Sequence, residues 1–257
     1  MSPSPKPLSP KTSPTKPGFI QVLPQPDDTT CGPTCLHALY RFYGVDYPLE
    51  RIIREVHRFE HGGTVAVALA NHALERGFEA IIYTYNLQVF DPTWFQEPAV
   101  DLKTRLARQA EVKNRKRLSQ VTQLYLRYLE LGGALRFAPL GRRLLNFYLD
   151  RGVPVLTGLS ATYLYNCARE HDNEADDIRG EPVGHFVVLS GMDTSGEQVL
   201  VADPLHLNPL NPGRRHYAVD LERLLIAIPL GVLTYDANLL ILRPAGSAAE
   251  DPPCGAP

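Results

Sequence analysis

Residues 25–36 read QPDDTTCGPTCL, a polar turn that runs into Cys31-Gly32-Pro33 and then into LHALYRFYGV, where Leu36, Leu39, Tyr40 and Tyr43 recur at helical spacing. This stretch predicts a helix that begins at Cys31. A thiol there has backbone N–H groups without intrahelical partners and the positive end of the helix dipole beside it, both of which favour a thiolate. Pro33 presets helical φ in the first turn without wasting a donor, and Gly32 lets the backbone approach a substrate carbonyl closely. The same N–H groups could hold an oxyanion, and the amide of Gln25, six residues before the cysteine, could add a donor. Cys35 follows one turn later and is expected to point into the interior as a small apolar side chain. A Cys31–Cys35 disulfide is disfavoured, because helical i and i+4 positions seldom offer the required Cβ geometry.

Outward from this helix, the order of elements sets the class. Helices are expected at about 48–59 and 63–76, the second stopped by Gly77, and a short strand at Phe19 to Leu23 leads in from the N-terminal side. Phe78 to Tyr85 reads as a buried strand. Residues 91–131 form a helical insertion, opened by Asp91-Pro92 and carrying Leu118, Val121, Tyr125 and Tyr128 on one stripe. Within it lies the basic run Lys113-Asn114-Arg115-Lys116-Arg117, read first as a solvated helix face and second as a site for an acidic partner. After a helix near 140–150 come five apolar runs, VPVLTGL, GHFVVLSGM, QVLVADP, RRHYAV and ANLLILR. Helices first and strands second predict an α+β fold, a helical lobe and a sheet lobe with a cleft between them.

Composition narrows the function classes. The 257 residues are 44% hydrophobic and 21% charged with a net charge of −2, which fits a globular chain and gives no global field for nucleic acid or an anionic membrane. Residues 1–18, with repeated Ser-Pro and Lys-Pro steps, and the stretch 244–257 are expected to be disordered tails around a folded unit of 19–243. The N-terminus lacks the pattern of a secretory signal and no apolar run is long enough to span a membrane, the best being 221–233 with Pro229 inside it. Four irregularly spaced cysteines suggest a reducing compartment, so a cytoplasmic location is expected. No Cys/His set stands at metal-ligand spacing, and no cofactor is called for.

A cysteine nucleophile needs a base. Of the eight histidines, His185 opens the apolar strand GHFVVLSG, and Asp203 closes QVLVA eighteen positions later, so adjacent strands would bring imidazole and carboxylate together at one sheet edge. Just ahead of His185 lies CAREHDNEADDIRGEPVG, with Glu170, Asp172, Glu174, Asp176 and Asp177 close together. It reads either as a solvated loop or as an acidic flap that selects a basic or amine-bearing substrate. His171 among these carboxylates satisfies no fixed metal-ligand spacing.

QPDDTTCGPTCL, GHFVVL and VADP together resemble the papain-clan cysteine peptidase family 39, which removes double-glycine leaders from bacteriocin precursors. The resemblance implies a papain-like α+β fold with Gln25 in the oxyanion hole, Cys31 as nucleophile, His185 as base and Asp203 as its partner. It also implies a peptide or protein substrate cleaved through a thioester. Members that process leaders are commonly the front domain of an export transporter; this chain shows no membrane segment and carries the long insertion at 91–131. Two other readings keep the same residues: an acyl- or aminoacyltransferase, in which an amine replaces water, and a catalytically silent peptide-binding module.

Overall fold

In the computed structural model, which describes residues 20–59, 63–96 and 100–246, the chain folds around one seven-stranded sheet. Its strands are β1 (Phe78–Thr84), β2 (Ala134–Arg136), β3 (Val155–Ser160), β6 (Gly184–Met192), β7 (Gln198–Ala202), β8 (His216–Asp220) and β9 (Asn238–Pro244). A separate two-stranded hairpin consists of β4 (Glu170–His171) and β5 (Glu174–Ala175). The large sheet runs β2-β1-β9-β3-β6-β7-β8, antiparallel throughout except for the pair β1 and β2.

Helices cover both faces of this sheet. On one side lie α1 (Cys31–Phe42), α2 (Leu49–Glu55), α3 (Ala66–Leu74), α4 (Leu102–Lys113) and α5 (Lys116–Glu130). On the other lie α6 (Arg142–Leu149), α7 (Ala161–Tyr165) and α8 (Leu221–Leu230). The strand side chains divide between the two cores with period two. Phe78, Ala80 and Ile82 of β1, Phe186 and Val188 of β6, and Leu240 and Leu242 of β9 face the first helix layer. Ile81 and Tyr83, Val187 and Leu189, and Leu239 and Ile241 face the second. A strand buried on both faces reads as an apolar run instead of an alternation, which is why GHFVVL and NLLIL look as they do.

The expected α+β class is what the chain adopts, but the sheet is not confined to the C-terminal half. Strand β1 comes from the helical half and pairs with β9, Phe78 opposite Pro244 through Thr84 opposite Asn238. The reason is burial: an apolar strand with no helix period can satisfy its backbone only in a ladder. The strand expected at Phe19 to Leu23 does not form over the described residues 20–23. That segment is instead strapped down by side chains, Arg215 Nε donating to the Val22 carbonyl at 2.9 Å and His216 Nε2 meeting that of Ile20 at 2.7 Å.

Among its described residues the expected helical insertion holds a 3-10 turn at Pro92–Phe95 and then α4 and α5. Asn114 closes α4 in the left-handed region at φ 42°, so the basic run spans a break between helices. Leu118, Val121, Tyr125 and Tyr128 are buried as the stripe predicts. Helices α7 and α8, strand β2 and the β4–β5 hairpin were not foreseen. Among them α8 carried a signal, since Asp220 caps it by accepting from the Arg223 N–H at 3.0 Å. The stretches 1–19 and 247–257 lie outside the described residues. Among the described residues no helix is long and apolar enough to cross a membrane.

Candidate active site

One end of the sheet gathers the start of β6, the end of β7, the start of β9 and the end of β3, and the first turn of α1 packs against that end. Cys31 is the first residue of α1 and is 9% exposed. The turn before it is built on Asp27: its carboxylate accepts from the Thr29 N–H at 2.8 Å and the Thr29 hydroxyl at 2.7 Å, and its backbone N–H donates to Thr30 Oγ1 at 3.1 Å. These bonds fix the angle at which the chain enters the helix. Gly32 has a packing role besides the one expected for it: a β-carbon there would lie 2.7 Å from Thr64 Cγ2 and 3.2 Å from Phe186 Cδ2. The absent side chain lets α1 sit directly on β6.

His185 is the second residue of β6 and is buried. Its Nε2 lies 2.8 Å from Asp203 Oδ1, and the nearby Cys31 side chain adds to the rise in pKa of the same ring. Burial alone would strip the imidazole of its proton. The Asp203 carboxylate, through charge and hydrogen bond, and then Cys31 reverse this and raise His185 to about 10.

Asp203 is fully buried directly after β7 and carries four hydrogen bonds. Oδ1 takes His185 and the Leu205 N–H at 2.8 Å. Oδ2 accepts from the hydroxyls of Tyr165 at 2.6 Å and Tyr217 at 2.7 Å. Burial pushes its pKa up, but the His185 charge and the hydrogen bonds from His185, Tyr165 and Tyr217 prevail and hold it below the ordinary value. Nothing in the sequence marks Tyr165 or Tyr217 for this task, since they lie 38 and 14 residues from Asp203.

Gln25 is brought alongside by its backbone N–H, which donates to the Pro204 carbonyl at 3.0 Å, next door to Asp203. Its Nε2 donates to the Asp27 carbonyl at 3.0 Å, which leaves one amide hydrogen over, and Oε1 is buried without a partner. Cys35 is completely buried, its thiol donating to the Phe186 carbonyl at 3.3 Å, and burial first, then the nearby Cys31 and Asp203, push its pKa well up.

The acidic stretch forms the β4–β5 hairpin between α7 and β6. Asp172 and Asn173 supply left-handed residues at φ 52° and 64° for its two-residue turn. Its carboxylates are exposed, apart from the partly covered Asp176, which is tied to Arg179 Nε at 2.6 Å.

No family model matches the sequence, and no curated protein matches it. Solved structures do align. The peptidase domain of Streptococcus ComA, a bi-functional ABC transporter, is 14% identical over 88% of this chain and 99% of that one, with a TM-score of 0.42. A double glycine motif protease from an AMS/PCAT transporter, solved with the leader peptide, is 14% identical over 93% and 99%, at 0.43. A C39-like peptidase from Bacillus anthracis is 14% identical over 87% and 94%, at 0.44. The chain is similar to C39 peptidase domains. That likeness is one of overall arrangement, and any role given to a residue here rests on the geometry around Cys31 itself.

Proposed function

We propose that this chain is a cysteine peptidase in which Cys31 attacks a peptide carbonyl, His185 moves the proton and Asp203 orients the imidazole. The observation that carries the reading is the buried His185 ring, held on one side by Asp203 at 2.8 Å and raised in pKa by the nearby Cys31 side chain. With Nε2 engaged by Asp203, Nδ1 is the nitrogen left for the thiol. The proton of the Cys31–His185 pair rests on the imidazole, which holds it up to about pH 10, so the sulfur forms the new C–S bond as a thiolate. That proton then goes to the departing amine as the C–N bond breaks, and water cleaves the thioester. The Cys31 backbone N–H and the spare amide hydrogen of Gln25 are the proposed oxyanion donors, each worth about 3 kcal/mol in the transition state. The β4–β5 hairpin, which leads into β6, supports a preference for basic or amine-bearing peptides through its exposed Glu170, Asp172, Glu174 and Asp177.

Intact-mass spectrometry after incubation with an activity-directed thiol probe, and separately with cationic and neutral peptide libraries, tests this reading. The parent chain should gain one adduct and cleave peptides, the cationic ones preferentially, while Cys31→Ala should do neither. Equal labelling of parent and Cys31→Ala would overturn the assignment of the nucleophile. Product carrying an added amine in place of water would convert the peptidase into an acyltransferase.

A further inference from the structure

Two loops press against the glycines that neighbour the proposed nucleophile and base. Thr64, in the loop before α3, fills the space over Gly32, and Thr234, in the loop before β9, fills the space over Gly184. Each loop has an internal tie: Thr64 Oγ1 donates to the His57 carbonyl at 2.7 Å, and Thr234 Oγ1 donates to that of Gly231 at 3.1 Å. Arg117, from the insertion, stands between them. Its guanidinium lies 3.2 Å above the Phe59 ring of the first loop and 5.6 Å from the Tyr235 ring of the second. Beside Tyr235, Asp236 is buried, and its Oδ1 accepts from the Ala66 N–H in the first turn of α3 at 3.0 Å and from Asn238 Nδ2 at 3.2 Å. Tyr235 and Ala237 on either side of it are both left-handed, at φ 67° and 65°. L residues hold such a conformation only where the surroundings dictate it.

We propose that Arg117 and Asp236 are positioning residues that clamp these two loops together and so fix where Gly32 and Gly184, and with them Cys31 and His185, stand relative to each other. The peptidase reading above supplies the reason this spacing matters; the clamp itself does not depend on it. The helical insertion then has a purpose, to deliver one cation to the junction of the two loops. The surroundings of Asp236 fix how the clamp responds to pH. Helix α5 presents Arg117 and Tyr125 to it, α3 the Ala66 N–H, β9 the Asn238 amide, and β3 and β6 the uncharged Gly158 and Phe186. Burial raises its pKa to about 7, against the lowering effect of Ala66, Asn238 and Arg117. Because the folded value lies above the unfolded one, stability falls as pH rises from the ordinary carboxylate range through about 7. Above that range the charged carboxylate leans on Arg117.

Thermal midpoints of the full chain, Arg117→Met, Arg117→Lys, Asp236→Asn and the Arg117→Met/Asp236→Asn double variant at acid and alkaline pH test the clamp without any substrate. The gap between parent and Arg117→Met should widen on going from about pH 5 to about pH 8.5, as expected when a carboxylate that is charged only at the higher pH loses a cation that favours its charge. It should shrink in Arg117→Lys, and its pH dependence should vanish when Asp236→Asn is the background. A gap of one size at both pH values, or one that keeps its pH dependence in Asp236→Asn, overturns the clamp. The positioning role is read from Cys31 alkylation. Arg117→Met should slow a peptide-sized electrophile about tenfold relative to a small haloacetamide, the size expected of one coupled contact. Equal rates for both reagents overturn it. A parent whose Cys31 reacts with neither reagent sinks the peptidase reading, and the positioning role with it, while the thermal comparison still judges the clamp.

Discussion

At the scale of single residues the site is a chain of dependent charges. Asp203 stays ionised in a fully buried place because three side chains and a backbone N–H donate to it, and that charge keeps the proton on His185. An uncompensated buried charge would be far costlier than any single hydrogen bond here. The pH dependence follows from the direction of each shift. His185 is raised from 6.5 to about 10, so its contribution is full below 6.5 and is lost as pH rises through about 10. Asp203 is lowered, so its contribution is present above the ordinary carboxylate value and is lost on acidification below it. Urea denaturation should therefore show parent stability declining from neutral to strongly alkaline pH, with the decline smaller in His185→Gln. Asp203→Asn should reduce the acid-side loss and cost activity by about 10³- to 10⁴-fold, the scale seen when an orienting aspartate becomes an amide.

Among elements, the contact that matters most for the site is α1 on β6. The sequence points to the helix start and to the strand, but the closeness of the two rests on Gly32, whose α-hydrogen faces Thr64, Phe186 and Leu69. Gly32→Ala forces a methyl group into that junction and should cost about 1–3 kcal/mol by overpacking. Thr64→Ser in the same chain removes the Cγ2 methyl that the new group meets and should recover part of the loss in a thermal melt. An equal penalty in both backgrounds would point to backbone strain at the helix start in place of crowding. The same reasoning explains why Cys35 is placed so differently from Cys31. One turn along the helix, its sulfur is sealed beneath the first turn and spends its proton on the Phe186 carbonyl.

Across the whole molecule, a second polar cluster away from the site ties the helices of the first layer together. Glu55 of α2 accepts from Tyr47 Oη at 2.6 Å, from Arg51 Nε at 2.7 Å and from the buried Arg76 beyond α3, while His72 of α3 reaches it at 3.3 Å and holds Tyr40 of α1 at 2.8 Å. Burial would raise the Glu55 pKa, but Tyr47, Arg51 and Arg76 hold it down at about 2. Glu55→Ala leaves the Arg76 guanidinium buried without its countercharge and should cost about 3–5 kcal/mol in global stability, measured by urea midpoint. Labelling of folded Cys31 should be unchanged, because the cluster does not touch Cys31, His185 or Asp203.

What could be read from the residues alone is local chemistry. Cys31 opens a helix because Gly32, Pro33 and the apolar spacing after them favour one, and strands β1, β3, β6, β7 and β9 are legible because β-branched and apolar runs have few alternatives. Cys31, His185 and Asp203 could be singled out because each stands at the end of such an element. Only the tertiary structure decided that β1 joins the C-terminal strands, that Tyr165 and Tyr217 secure Asp203, and that Arg117 of the insertion lies over Phe59 and near Tyr235, where its charge acts on Asp236. Propensity and spacing act over a few residues, whereas the partner of a buried charge is chosen by whichever distant segment the closed core brings within hydrogen-bond reach.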